Sequence, residues 1–267
     1  MTQTQTRTQN QLLEFRTMFV RAVAEAWADP VWGAALTAKG GARSLAVLNE
    51  RFSDYHWPWK GVWDLRVVES GSRWVDHEWI WPSTLPESLT LFLPLFPSEA
   101  NGIGSPAKRA RALADYYQQR PLLFADTLPL LYSPRGPAVS EAAAEGFGLD
   151  HGLMPSDRDF TEFKIALVAA VARAWADPAY LDVLTTNATI ALNRIPHYKV
   201  PWDLAVRVQH DDKISWSETA GWSWDCMTPN ILMLYLPPAP TEMNSQPLAL
   251  AMYNAAGAKY PFTCCPC

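Results

Sequence analysis

A chain of 267 residues that is 49% hydrophobic and 18% charged is long enough to bury one large core or two ordinary ones. A net charge of −5 with no run of like charge gives no footprint for nucleic acid or an anionic membrane surface, and no stretch reaches the roughly 20 uninterrupted apolar residues of a membrane span. Four cysteines are too few for a disulfide scaffold, and the start, Met1 to Asn10, has neither an apolar core nor a cleavage-like site, so a reducing, cytoplasmic setting is expected.

In chain order, the first expected element is a helix. Phe15, Phe19, Val23 and Trp27 recur every fourth residue and place an apolar stripe on one face. Asp29-Pro30 then punctuates it: the residue before proline is pushed out of the helical region, while Asp can cap and Pro can open a following helix. A second helix is expected through Trp32, Leu36, Leu45 and Leu48, ending near Pro58. After that the period falls to two. The run Leu89-Thr90-Leu91-Phe92-Leu93 stops at Pro94 and reads as a buried central strand. A short closing helix is expected between Pro106 and Tyr117. From Pro121 to about Pro155 the chain is rich in Pro, Gly and Ala, as suits an extended linker.

The pattern then begins again. Val23-Ala24-Glu25-Ala26-Trp27-Ala28-Asp29-Pro30 returns as Val171-Ala172-Arg173-Ala174-Trp175-Ala176-Asp177-Pro178. In the same order Trp63-Asp64-Leu65 recurs as Trp202-Asp203-Leu204, Trp79 and Trp81 as Trp222 and Trp224, and Leu91-Phe92-Leu93-Pro94 as Leu234-Tyr235-Leu236-Pro237. Ala112-Leu113-Ala114-Asp115-Tyr116 then recurs as Ala249-Leu250-Ala251-Met252-Tyr253. A period this long is a duplicated unit and not a solenoid. The second copy carries the stripe Phe163, Leu167, Val171, Trp175, a second helix through Tyr180, Leu184, Ala188 and Leu192, alternation at Leu204, Val206 and Val208, and a buried run from Ile231 to Leu236. A closing helix is expected from Pro247 to Tyr253. The expected fold is α+β, with tandem units that are each a helical hairpin on a small, mainly antiparallel sheet. The divisions are 11–120 for the first unit, 121–155 for the linker, 156–256 for the second unit and 257–267 for a Cys-rich tail.

The phrase Ala172-Arg173-Ala174-Trp175-Ala176-Asp177-Pro178-Ala179-Tyr180, followed by Leu184 and an Ala-rich helix, resembles the N-terminal region of nitrile hydratase alpha subunits. It is similar to the leader domain derived from that fold and reused in precursors of ribosomally made, post-translationally modified peptides. The paired precursors of the thiazole/oxazole-modified microcins, with short Cys-rich ends, are the nearest likeness, here with two units fused. The resemblance implies a bacteriocin-like precursor that is a substrate and not an enzyme, with no cofactor of its own. Its implied partners are a tailoring enzyme such as a YcaO-type cyclodehydratase, a protease and an exporter, with the mature product leaving the cell. Nucleic acid and membrane are not among them.

The last residues, Tyr260-Pro261-Phe262-Thr263-Cys264-Cys265-Pro266-Cys267, hold three of the four cysteines, and the first copy has none. A Cys thiol or Thr hydroxyl can attack the preceding carbonyl, and loss of water leaves a five-membered azoline. The sites would be Cys264, Cys265 and Cys267, with Thr263 the poorer nucleophile. An exposed end threads into an enzyme more readily than a loop does. A second reading makes the same three cysteines soft ligands for copper or zinc, although the spacing is weaker than a zinc motif. A third, an active nitrile hydratase, meets a missing Ser in the claw motif and Pro266, which has no N–H to deprotonate. Trp27, Asp29, Trp175 and Asp177 are most simply corner residues, and their surface is a candidate for recognition by the modifying enzyme. Cys226 reads as a small buried hydrophobe. His56, His77, His151, His197 and His210 share no metal-ligand spacing.

Overall fold

The computed structural model describes residues 3–59, 62–80, 88–96, 103–119, 157–200, 205–223 and 228–253. The first unit contributes α1 (Gln3–Ala28), α2 (Pro30–Gly41), α3 (Ser44–Arg51), β1 (Trp63–Glu69), β2 (Arg73–Val75), β3 (Glu78–Ile80), β4 (Ser88–Leu93) and α4 (Pro106–Gln119). The second contributes α5 (Asp157–Ala176), α6 (Pro178–Thr186), α7 (Ala188–Asn193), β5 (Ala205–His210), β6 (Trp216–Ser217), β7 (Gly221–Trp222), β8 (Asn230–Leu236), a 3₁₀ turn (Met243–Ser245) and α8 (Gln246–Met252). The mixed α+β class and the repeat are as the sequence leads one to expect.

The two stripes become the core faces of α1 and α5. Phe15, Phe19, Val23 and Trp27 are buried, as are Phe163, Leu167 and Val171, with Trp175 packed against the same core. The Asp-Pro corners form as expected. The Asp29 carboxylate accepts from Trp32 N–H (3.0 Å), and that of Asp177 accepts from the N–H groups of Ala179 (3.0 Å) and Tyr180 (3.1 Å). Each satisfies donors that the helix itself leaves orphaned.

The second helix of each unit is broken, which the apolar spacing does not reveal. In the first unit Ala38, Lys39 and Gly40 leave helical geometry, and Gly41 has φ +77°. A Cβ on Gly41 would lie 2.6 Å from both Val67 N and Val67 O, so the chain needs glycine there for closeness as well as for φ. In the second unit Asn187 interrupts the helix and caps its continuation, accepting from Ile190 N–H at 3.0 Å.

The principal sheet has the order β1-β8-β4-β5. Its two central strands are the apolar runs, one from each unit, paired antiparallel with Leu89 opposite Leu232. Outside them the pairing is parallel: β8 of the second unit lies on β1 of the first, and β4 of the first lies on β5 of the second. The sheet is therefore mixed, because neither unit keeps its own last strand. The helices follow the strands. α4 packs on α5 and β7 of the second unit, and α8 packs on β3 and α1 of the first. The units are thus interlocked by a reciprocal exchange of their β–α arms, 88–119 and 228–253, as in a domain-swapped dimer written on one chain. The segments that carry the crossings, 81–87 and 224–227, lie outside the described residues, and with them Trp81, Trp224 and Cys226.

The exchange has a pseudo-twofold axis at the Leu89–Leu232 pair. Repeat matching sets Ser88 against Ile231, Leu89 against Leu232 and Thr90 against Met233, and the observed pairs Ser88–Met233, Leu89–Leu232 and Thr90–Ile231 map onto themselves under that exchange. The repeat offset in the sequence and the offset in the sheet differ by two. Trp-Asp-Leu repeats with an offset of 139 (202 − 63), yet Val67 lies beside Leu234 and Val208 beside Leu91, an offset of 141 (208 − 67) for the same place in the sheet. A shift of two keeps every side chain on its own face, so the core tolerates it.

Edge strand β1 is closed by side-chain chemistry. Ser44 Oγ accepts from Val67 N–H (2.8 Å) and donates to the Leu36 carbonyl (2.7 Å), covering a backbone donor that an edge would leave open.

Candidate functional site

The tail residues Thr263, Cys264, Cys265 and Cys267 lie outside the described residues, but the segment that leads into them is held in detail. The carbonyl of Ala249 in α8 accepts from Trp79 Nε1–H of the β2–β3 hairpin at 2.9 Å. The Trp79 ring meets the buried ring of Tyr253 edge-on, with centroids 6.5 Å apart, and on its other side meets Trp27 of α1 at 6.1 Å. The Tyr253 hydroxyl donates to the Tyr235 carbonyl (3.2 Å). The root of the tail is therefore fixed by the first unit's aromatic side chains and by its own β8. Cys264 is eleven residues beyond Tyr253 (264 − 253), a reach of at most about 40 Å when fully extended.

The second unit holds the first unit's closing helix in the same way. Trp222 Nε1–H donates to the Ala112 carbonyl (2.7 Å) and its ring meets Tyr116 at 5.6 Å. This pair of sites explains why Trp79 and Trp222, Ala112 and Ala249, and Tyr116 and Tyr253 recur together: they are two halves of one contact made twice across the exchange.

Trp27 and Trp175 make a second such pair. Trp27 Nε1–H donates to the Pro237 carbonyl (2.8 Å) and Trp175 Nε1–H to the Pro94 carbonyl (2.6 Å), each bond running from one unit to the residue that follows the other unit's exchanged strand. The strand ends are tied as well: Ser70 N–H donates to the Leu236 carbonyl and Asp211 N–H to the Leu93 carbonyl, both at 2.9 Å. Trp27 is only 9% exposed, so most of its surface is engaged inside the molecule. The Ala-Trp-Ala-Asp-Pro signature is thus a device in which Asp caps a helix and Trp grips the neighbouring unit. A shallow depression of about 290 Å³ lies over this corner, lined by Trp27, Pro30, Gly33, Glu69, Ser70 and Pro237 among others.

A larger depression of about 690 Å³ belongs to the first unit. Glu14, Arg21, Arg51, Phe52, Asp54 and Tyr55 are among its walls. Arg51 is engaged with Glu25 (2.7 Å), a hydrogen bond that raises its already high pKa. The Tyr55 phenol is held above its ordinary value mainly by burial and secondarily by the charge of Glu14. Nothing in this arrangement pairs a nucleophile with a base.

Two polar groups, His210, which the sequence analysis left without a metal role, and Asp211, which it did not single out, have structural work. His210 Nδ1 accepts from Leu95 N–H (3.1 Å), and its ring lies edge-on to Phe96. Asp211 is almost wholly buried, and its carboxylate accepts from Lys213 N–H, Thr228 N–H and the Thr228 hydroxyl at 3.0–3.3 Å. His77 occupies the left-handed region in the tight turn between β2 and β3. Among the described residues no group of three or more His, Cys, Asp or Glu is placed to hold a metal ion, and no helix is long and apolar enough to cross a membrane.

No curated protein and no solved structure matches the chain. A family of ribosomal natural products matches it twice, over residues 10–123 and 158–261, once for each unit and ending two residues before Thr263. With both interlocked units covered, the chain belongs to the ribosomal natural product, two-chain TOMM family.

Proposed function

We propose that this chain is a bacteriocin-like precursor of the thiazole/oxazole-modified kind, with nitrile-hydratase-like leader units. In this reading the tail is the substrate of a dedicated tailoring enzyme, such as a YcaO-type cyclodehydratase. The observation that carries it is the match of both units to a ribosomal natural product family, set beside the confinement of clustered cysteines to residues 264–267. In this reading the chain supplies substrate atoms and a handle, and the tailoring enzyme supplies the catalytic groups.

The chemistry is a condensation repeated along the tail. The thiol of Cys264 adds to the carbonyl carbon of Thr263, that of Cys265 to the carbonyl of Cys264, and that of Cys267 to the carbonyl of Pro266. Each acceptor cysteine has the backbone N–H that the ring must lose, which Pro266 lacks. The carbonyl oxygen departs as water once an enzyme has activated it at the expense of ATP, and a thiazoline remains. Thr263 can add to the Phe262 carbonyl in the same way, more slowly because a hydroxyl is the weaker nucleophile. A protease then releases the product and an exporter carries it out of the cytoplasm, where the precursor is made and modified.

The test is the intact mass and fragmentation of the C-terminal peptide from the native producer. Loss of one water per ring, localised to Cys264, Cys265 or Cys267, is expected. An unmodified tail that retains a stoichiometric soft metal ion would overturn the reading in favour of copper or zinc binding by the same thiols.

A further inference from the structure

We propose that the chain is a tethered heterodimer. The first unit is a partner subunit that completes the second and seats the root of its tail, and the covalent link through 121–155 is not needed to hold them together.

Three observations carry this. The connection between the units runs from α4 to α5, which already pack on each other, so it joins two elements of one body. What holds the units together lies elsewhere, in the exchanged strands and in the four indole-to-carbonyl bonds from Trp27, Trp79, Trp175 and Trp222. Removing either unit would strip β8 or β4 of both its neighbours and expose residues that are fully buried, such as Leu91, Leu232 and Leu234. Separation therefore requires unfolding, with or without the tether.

The third observation gives the pairing its preference for unlike units. Where α4 meets the β6–β7 hairpin, Trp216 Nε1–H donates to the Asp115 carboxylate (2.7 Å), and Lys108 and Arg111 reach Glu218 (3.5 and 3.2 Å). The repeat match of Ala112–Tyr116 to Ala249–Tyr253 places Ser245, Leu248 and Met252 at the positions of Lys108, Arg111 and Asp115. In a pair made of two second units, Trp216, only 3% exposed, would lose its carboxylate acceptor, and Glu218 would lose both cations. The exposed ion pairs count for little, whereas an unpaired buried indole N–H is a direct penalty against the like pair.

The experiment uses the full chain with a specific protease site inserted between Ser133 and Pro134, and the uncut protein as control. After complete cleavage the two fragments are expected to co-elute as one 1:1 species with unchanged circular dichroism and native mass. After unfolding in urea and refolding together, they are expected to return to the 1:1 heteropair, favoured over like pairs by about tenfold or more. Fragments that separate or aggregate on cleavage would overturn the proposal, as would refolding to a statistical mixture of like and unlike pairs. Should the insertion disturb the uncut control, a site after Gly146 replaces it. The outcome does not depend on whether the tail is modified, so it stands or falls apart from the function proposed above.

Discussion

Leu89 and Leu232 are 143 residues apart in sequence and directly opposite each other at the centre of the sheet, and both are completely buried. If the units were independent, Leu89→Ala and Leu232→Ala would act on separate unfolding events. In the interlocked fold they act on one. Each truncation of a buried leucine costs about 2–5 kcal/mol, which for a protein of this size lowers Tm by roughly 7–14 °C at the middle of that range. Opposed side chains in an antiparallel pair lie about 4.5–5.5 Å apart at Cβ, close enough that the second truncation enlarges a cavity already opened by the first. The double variant should therefore depart from the sum of the singles by about 0.5–3 kcal/mol. The assay is urea unfolding followed by tryptophan fluorescence and by far-ultraviolet circular dichroism, with calorimetry as a check on two-state behaviour. One transition that both probes share, shifted by either substitution, is the expected result. Two transitions, of which each variant moves only one, or strict additivity within about 0.3 kcal/mol, would refute the shared core. If the double alanine variant does not fold, the same cycle with valine, at about 0.5–1.5 kcal/mol per site, preserves the test.

Asp177→Ala removes the acceptor of two helix-start N–H groups and should cost about 1 kcal/mol, seen as a fall of roughly 2–4 °C in the single melting transition. Gly40→Ala and Gly41→Ala separate backbone strain from crowding: Gly40 has open space around it and should lose only about 1–2 kcal/mol from its positive φ, whereas Gly41→Ala also drives a methyl into the Val67 backbone and should lose clearly more, both read from urea midpoints. Tyr55 tests linkage. Burial raises the phenol's pKa in the fold, so the stability this contributes is fully present below the unfolded value near 10 and is lost as pH rises beyond it. Tyr55→Phe should leave stability at pH 7 unchanged or slightly higher, since the hydroxyl is buried without a hydrogen-bond partner among the described residues, and should reduce the decline measured by denaturant unfolding above pH 10.

The features legible in the sequence are those that local periodicity or one residue's stereochemistry dictates. The apolar stripes of α1 and α5, the Asp-Pro corners, the central strands and the closing helices all follow from spacing and capping. The exchange of arms does not, and the reason lies in the repeat itself. β4 and β8 present nearly the same surface, Leu-Phe-Leu-Pro against Leu-Tyr-Leu-Pro, so either could sit beside β1 without changing any pattern of burial. The two-residue offset between Trp-Asp-Leu matches and sheet register is hidden likewise, because a period of two conserves the face. The breaks at Gly40-Gly41 and at Asn187 did carry signals, which regular apolar spacing on either side outweighed. As for the candidate site, sequence identified Trp27, Asp29, Trp175 and Asp177 as a group. Trp27 and Trp175 each grip the other unit and Asp29 and Asp177 each cap a helix, which gives all four structural work, and the tail's own residues lie outside what the structure describes.

The interlocking also gives a physical reason for placing modifiable residues after only one closing helix. Each unit's closing helix has a tyrosine at or near its end, Tyr116 or Tyr253, set against the other unit's tryptophan. After Tyr116 the chain must reach α5, which packs beside α4, so a substrate sequence placed there would be tied to ordered structure at both ends. Threading such a segment into an enzyme's cleft means forming a loop at both mouths of the site, with the closure entropy that this costs. A segment anchored at one side only would enter a cleft without closing a loop. Cysteines anchored on one side only would thus be threaded more readily than cysteines held between Tyr116 and Asp157. A variant with Thr-Cys-Cys-Pro-Cys transplanted into 121–155 should be processed far more slowly by the tailoring enzyme than the native tail in the same molecule. Equal rates at the two sites, measured by mass spectrometry of the two peptides from one reaction, would remove tethering as the cause of the asymmetry.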